Sequence, residues 1–152
     1  INFLSPVLLT HKCLPLLKNF EQGSRKIIFI GTGVSQRPTA SWSAYGSSKA
    51  ALLQFANCLA LEEPTITVLT VRPGLVNTPM IAKIIDAKSS MNEREYTKFV
   101  SYKNSEKFIE PYEPAKHIAA IALQIPHSYS GQFISWNDYP PQDQEIDGNN
   151  KL

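Results

Sequence analysis

A phenol and an ammonium stand four residues apart in Ser43-Ala44-Tyr45-Gly46-Ser47-Ser48-Lys49, a spacing that places both on one face of a helix. Such a pair can move protons, because a neighbouring Lys charge favours phenolate over phenol and draws the Tyr pKa down toward the range of general acid or base work. The chain carries its own control in Tyr112-Glu113-Pro114-Ala115-Lys116. There Pro114 is expected in the first turn of a new helix, leaving Tyr112 outside it and aimed elsewhere. Spacing alone does not choose between the pairs, so their surroundings must.

The elements around the first pair alternate in type. An apolar opening segment with Leu4, Leu8, Leu9, Leu14 and Leu17 predicts a helix from near Ile1 to about Phe20. Lys26-Ile27-Ile28-Phe29-Ile30 is a continuous apolar run ending at Gly31, the pattern of a parallel strand covered on both faces. After a loop with Pro38, a long helix is expected from about Ser43 to Glu63, stopped by Pro64. The β-branched run Ile66 to Val71 is the next strand and halts at Pro73-Gly74. Leu75 to about Phe108 reads as helical pieces, Ala115 to Ile125 as a helix, and Gly131 to Trp136 as a closing strand. The polar tail from Asn137 to Leu152 reads as poorly ordered. Helix, strand, helix, strand, helix, strand predicts an α/β fold with a parallel sheet and crossover helices.

Composition narrows the function class. With 152 residues, 43% hydrophobic and 18% charged, the chain suits one globular domain or a piece of a larger one. A formal charge of +2, with no dense run of Lys and Arg, argues against nucleic acid and against an acidic membrane surface as partners. Cys13 and Cys58 lack Cys-x-x-Cys spacing and clustered His, which argues against a disulfide framework or a metal site and for reduced thiols in a cytoplasmic protein. The opening apolar run is broken by Pro6, His11 and Lys12, so it reads as neither a signal peptide nor a membrane span.

Taken in order, Ile28-Phe29-Ile30-Gly31-Thr32-Gly33, Ser43-Ala44-Tyr45-Gly46-Ser47-Ser48-Lys49-Ala50-Ala51 and Val71-Arg72-Pro73-Gly74-Leu75-Val76-Asn77-Thr78-Pro79-Met80 resemble the second half of a short-chain dehydrogenase/reductase. Trp42-Ser43-Ala44-Tyr45 and Leu61-Glu62-Glu63-Pro64 look closest to the branch containing benzil and sepiapterin reductases, which reduce dicarbonyl and related compounds with NADPH. The resemblance covers nearly everything from Ile1 to about Trp136. It implies the C-terminal half of a Rossmann-type doubly wound parallel sheet, and a small carbonyl compound as substrate.

The resemblance also implies roles. Tyr45 matches the proton donor to the carbonyl oxygen, and Lys49 the residue that holds the nicotinamide ribose and keeps the tyrosine acidic. Asn2, in Ile1-Asn2-Phe3, matches an asparagine that orders a relay water; its residue type alone suits a helix N-cap equally well. Thr32 stands where the family has Ser, thirteen residues before Tyr45. It keeps the hydroxyl, but its methyl and stiffer χ1 put catalytic efficiency in doubt, with Ser35 and Ser43 as substitutes. Pro73 and Gly74 would let a flat nicotinamide approach, Val76 would meet the carboxamide through its backbone, and Thr78 would bond the carboxamide or diphosphate. Residues 75–108 correspond to a substrate lid, with Tyr96, Phe99 and Tyr102 either lining it or packing.

Gly31-Thr32-Gly33 is not the Gly-rich turn of a dinucleotide fold, since no further Gly follows at the required position. The first strands, that turn and the residue reading the ribose are expected to lie upstream of Ile1, so NAD is not excluded by these residues. Two readings follow. One is an NADPH-dependent carbonyl reductase seen through an N-terminally incomplete chain. The other is a noncatalytic remnant or interaction protein that keeps the helices, about 1–20 and 43–63, through which the family dimerises.

Overall fold

A computed structural model describes residues 1–21 and 23–139, so the tail beyond Tyr139 lies outside the described residues. Eight regular elements follow one another: α1 (Leu4–Lys18), β1 (Lys26–Ile30), α2 (Ser43–Glu62), β2 (Thr67–Arg72), α3 (Pro79–Asp86), α4 (Glu93–Asn104), α5 (Tyr112–Gln124) and β3 (Phe133–Ser135). The three strands form one parallel sheet in the order β1, β2, β3. Lys26 stands opposite Thr67 and Ile30 opposite Val71, while Thr70 stands opposite Phe133.

Strand alternation sorts the apolar side chains onto the two faces of the sheet. Phe29 and Val68 join Leu52, Ala56 and Leu59 of α2 on one face, where Leu14 and Leu17 of α1 also pack. Leu69, Val71 and Ile134 join Ile121 and Ile125, from α5 and the residue after it, on the other. Helices therefore cover both faces, and β2, buried from Thr67 to Val71, lies at the centre, with Val68, Leu69 and Val71 at 0% exposure. The apolar runs predict this parallel sheet with crossover helices, and the family resemblance implies its doubly wound half-sheet form. All three strands end at the same edge, where the loops after β1 and β2 emerge.

The starts of two helices differ from the sequence expectation. The first helix begins at Leu4 with Phe3 at its N-cap and no side-chain cap, so Asn2 is neither helical nor the capping residue. The last helix begins at Tyr112, which places Tyr112 inside it. Pro114 sits in the first turn, as expected, but the first four helical N–H groups have no intrahelical acceptor, so Pro is tolerated anywhere in that turn.

Candidate active site

The loop leaving β1 meets the first turns of α2. Thr32 is extended, and its carbonyl accepts from Ser35 N–H at 3.1 Å and from Ser35 Oγ at 2.6 Å. This closes a short 3-10 turn over Gly33–Ser35. That turn presses on α2 where Gly46 offers no side chain: a Cβ there would lie 3.1 Å from Val34 Cγ1. The close approach sets the Thr32 hydroxyl, which accepts from Val34 N–H at 3.4 Å, near enough to the Tyr45 phenol to favour its ionised form. Ser35 is committed to the Thr32 carbonyl and Ser43 is exposed at the start of α2. Of the three candidate hydroxyls, Thr32 is therefore the one the fold aims at Tyr45.

One turn along α2, Lys49 Nζ donates to the Ile30 carbonyl at 2.9 Å. The ammonium is thus tethered to the C-terminal end of β1. Electrostatics here differ from the expectation built on spacing. Burial pushes the Tyr45 phenol above its ordinary value, and the Thr32 hydrogen bond pulls it down by less. Burial also pushes Lys49 below its ordinary value. A half-buried phenol is easier to keep neutral, and the Lys charge is directed to a carbonyl, so desolvation outweighs the helical pairing.

Asn2 is exposed just before α1, and no hydrogen bond joins it to Tyr45 among the described residues. Lys18, closing α1, bonds Glu63 just beyond α2 at 2.7 Å, so the C-terminal ends of the two helices meet.

The loop after β2 supplies the remaining candidates. Gly74 adopts φ +80°, and a Cβ would stand 2.8 Å from Ile109 Cδ1 and 3.4 Å from Trp136 Nε1, so only Gly fits. Val76 pairs with Ile109 in an isolated parallel bridge. Its two bonds run from Ile109 N–H to the Leu75 carbonyl and from Asn77 N–H to the Ile109 carbonyl, each 2.8 Å. The Val76 amide takes no part in them and faces the other way. Thr78 stands at the N-cap of α3 ahead of Pro79, yet its hydroxyl makes no capping bond.

Between that bridge's two strands lie α3 and α4. Phe99 of α4 is buried and stacks on Trp42, with centroids 5.8 Å apart, and Trp42 meets the Tyr45 ring edge-on at 5.6 Å. Tyr96 and Tyr102 are half-buried, with Lys88 over the first ring and Lys98 and Lys107 near the second. Sequence reasoning passed over Trp42 and Ser41 as chemistry. A bulky aromatic directly before the Tyr45 helix was the available signal. Among the described residues no cluster of His, Cys, Asp or Glu could hold a metal, and no helix is long and apolar enough to cross a membrane.

Comparison with known proteins identifies the family. Residues 1–89 match the short chain dehydrogenase family. The chain is 36% identical over 143 residues to the benzil reductase ((S)-benzoin forming) IRC24 of Saccharomyces cerevisiae, covering 91% of this chain and 54% of that protein. It is 31% identical over 123 residues to a benzil reductase ((S)-benzoin forming) of Bacillus cereus, covering 78% of this chain and 48% of that protein. It superposes on the crystal structure of the short-chain dehydrogenase/reductase YIR035C from Saccharomyces cerevisiae with a TM-score of 0.83 and 36% identity, over 91% of this chain and 55% of that one. The chain thus spans about half the length of the relatives it matches, and it belongs to the short-chain dehydrogenase/reductase family.

Proposed function

We propose that the whole protein, to which this chain contributes the half carrying Tyr45, is a cytoplasmic NADPH-dependent reductase of small carbonyl compounds of the dicarbonyl type. The observation that carries the reading is the half-buried Tyr45 phenol beside the Thr32 loop that closes on Gly46, one helical turn from the Lys49 ammonium tethered to the end of β1. Similarity to benzil reductases from a yeast and a bacterium supports the dicarbonyl class.

The residues present suit the nicotinamide end of a dinucleotide. Gly74 offers a backbone without bulk, Val76 an amide pointing away from its bridge, Thr78 a hydroxyl without a capping bond, and Lys49 an ammonium beside the strand end. When bound, such a cofactor supplies hydride to the carbonyl carbon. Thr32 donates to the carbonyl oxygen and holds it against the phenol, a polarisation worth a few kcal/mol of barrier. Tyr45 gives its proton to that oxygen as charge develops there. Lys49 binds ribose hydroxyls and favours the phenolate left behind, and Asn2, just before α1, orders the water that returns the proton. Pro73 fixes the turn into Gly74. The exposed Leu4, Leu8, Leu9 and Leu16 of α1 and Leu61 of α2 support a homodimer through these helices.

The test is reduction of a panel of diketones and quinones by the purified full-length protein, with NADPH and NADH compared. Tyr45→Phe is expected to lower kcat by about 10²- to 10⁴-fold. Activity that survives that substitution overturns the mechanism.

A further inference from the structure

Ser41 and Trp42 form an unfavourable pair of consecutive residues at the entrance to the Tyr45 helix. Ser41 holds φ at 67°, a left-handed conformation that non-Gly residues adopt only when their surroundings impose it. The Trp42 indole N–H is buried without an acceptor among the described residues, and a buried donor left unpaired is costly. Strain of both kinds in one short loop points to a constraint from outside it.

That constraint is α4. The Ser41 hydroxyl accepts the Asn92 backbone N–H at 2.7 Å, and Asn92 caps the same helix by accepting from Arg94 N–H at 3.1 Å. The left-handed turn at Ser41 thus carries Trp42 under α4, where its ring stacks on Phe99 at an interplanar angle of 24°. Trp42 also meets the Tyr45 ring, edge-on at 65°. Phe99, Trp42 and Tyr45 form a continuous series of rings from the middle of α4 to the phenol.

Resting on the reductase reading above, we propose that Trp42 is a positioning residue that sets the aim of the Tyr45 phenol according to the docking of α4. With α4 seated, Trp42 limits the swing of the Tyr45 side chain about χ1 and so holds its hydroxyl on the Thr32 side. With α4 displaced, Phe99 leaves Trp42, the ring loses its wall, and the proton donor is misdirected. Closure of residues 78–108 and alignment of the acid are then a single event.

The experiment combines kinetics with amide hydrogen exchange on the full-length protein. Phe99→Ala is expected to lower kcat at least about tenfold, with dinucleotide affinity unchanged, and to speed exchange in α4 and at the Gly46 amide together. Ser41→Gly, which keeps the backbone conformation and removes the acceptor, is expected to do the same more weakly. Trp42→Phe, which keeps a ring between Phe99 and Tyr45, is expected to retain most of kcat. A raised KM with unchanged kcat in Phe99→Ala, or faster exchange confined to α4, overturns the proposal. If the unaltered protein reduces no carbonyl compound, the reductase reading falls, and exchange at Gly46 alone decides whether α4 and the Tyr45 turn are coupled.

Discussion

Tyr112 and Lys116 share one helix just as Tyr45 and Lys49 do, so geometry within the helix does not separate the two pairs. Surroundings do: Tyr112 is 70% exposed, whereas Tyr45 is half-buried and meets Thr32 and Trp42. The candidate residues were legible because their order along the chain resembles a family. The direction of the Tyr45 shift was not, since burial is a property of the assembled site. Spectroscopic titration of the chain without cofactor, taken as the difference from Tyr45→Phe, is expected to place this phenol above the ordinary value of about 10; a midpoint below that overturns the desolvation account. The sign for stability follows. Between the unfolded and the higher folded value the folded chain holds the extra proton, so the Tyr45 contribution falls as pH rises through that window. Thr32 gives a second residue-level expectation. Removing its hydroxyl in Thr32→Val should cost roughly a hundredfold in kcat, while Thr32→Ser should retain activity. Loss in the serine variant would show that the methyl is required rather than tolerated.

Elements with a continuous apolar run or a strong stop signal were readable to within a residue or two: β1 at Lys26–Ile30, and α2 from Ser43 to its end before Pro64. The entry to α1 was not, because Phe3 stands at its N-cap without any capping side chain, leaving no polar signal to read. The turn at Ser41 was equally hidden, since its conformation depends on Asn92 far along the chain. Packing between elements also explains why Gly31 is needed. A Cβ there would lie 2.6 Å from Thr70 Cγ2 and 2.8 Å from Phe133 Cε2, wedging the end of β1 away from β2 and β3. Gly31→Ala is expected to destabilise the fold by about 1–3 kcal/mol, read as a lower midpoint in chemical denaturation. An unchanged midpoint would mean that the strand ends yield more easily than their packing implies.

At the scale of the whole molecule, the outer edge of β1 has no strand beside it among the described residues. Beside that edge Ile30 is 44% exposed, and on α1 Leu4, Leu9 and Leu16 are 66%, 66% and 73% exposed. An open apolar edge is a template for association. Light scattering of the 152-residue chain is expected to show mass that rises with concentration over about a tenfold range; a constant monomer mass would mean the edge is protected. The bridge between Val76 and Ile109 has a different bearing. It fixes both roots of the excursion over residues 78–108 at the sheet edge, so most of the entropy of closing that loop is met at its base, whatever the loop contains. Away from the contacts at Asn92 and Phe99, the excursion is therefore an exchangeable cassette. Under the reductase reading proposed above, the remainder of its length and lining can diverge to suit a different substrate while Tyr45 and its tethered lysine stay in place.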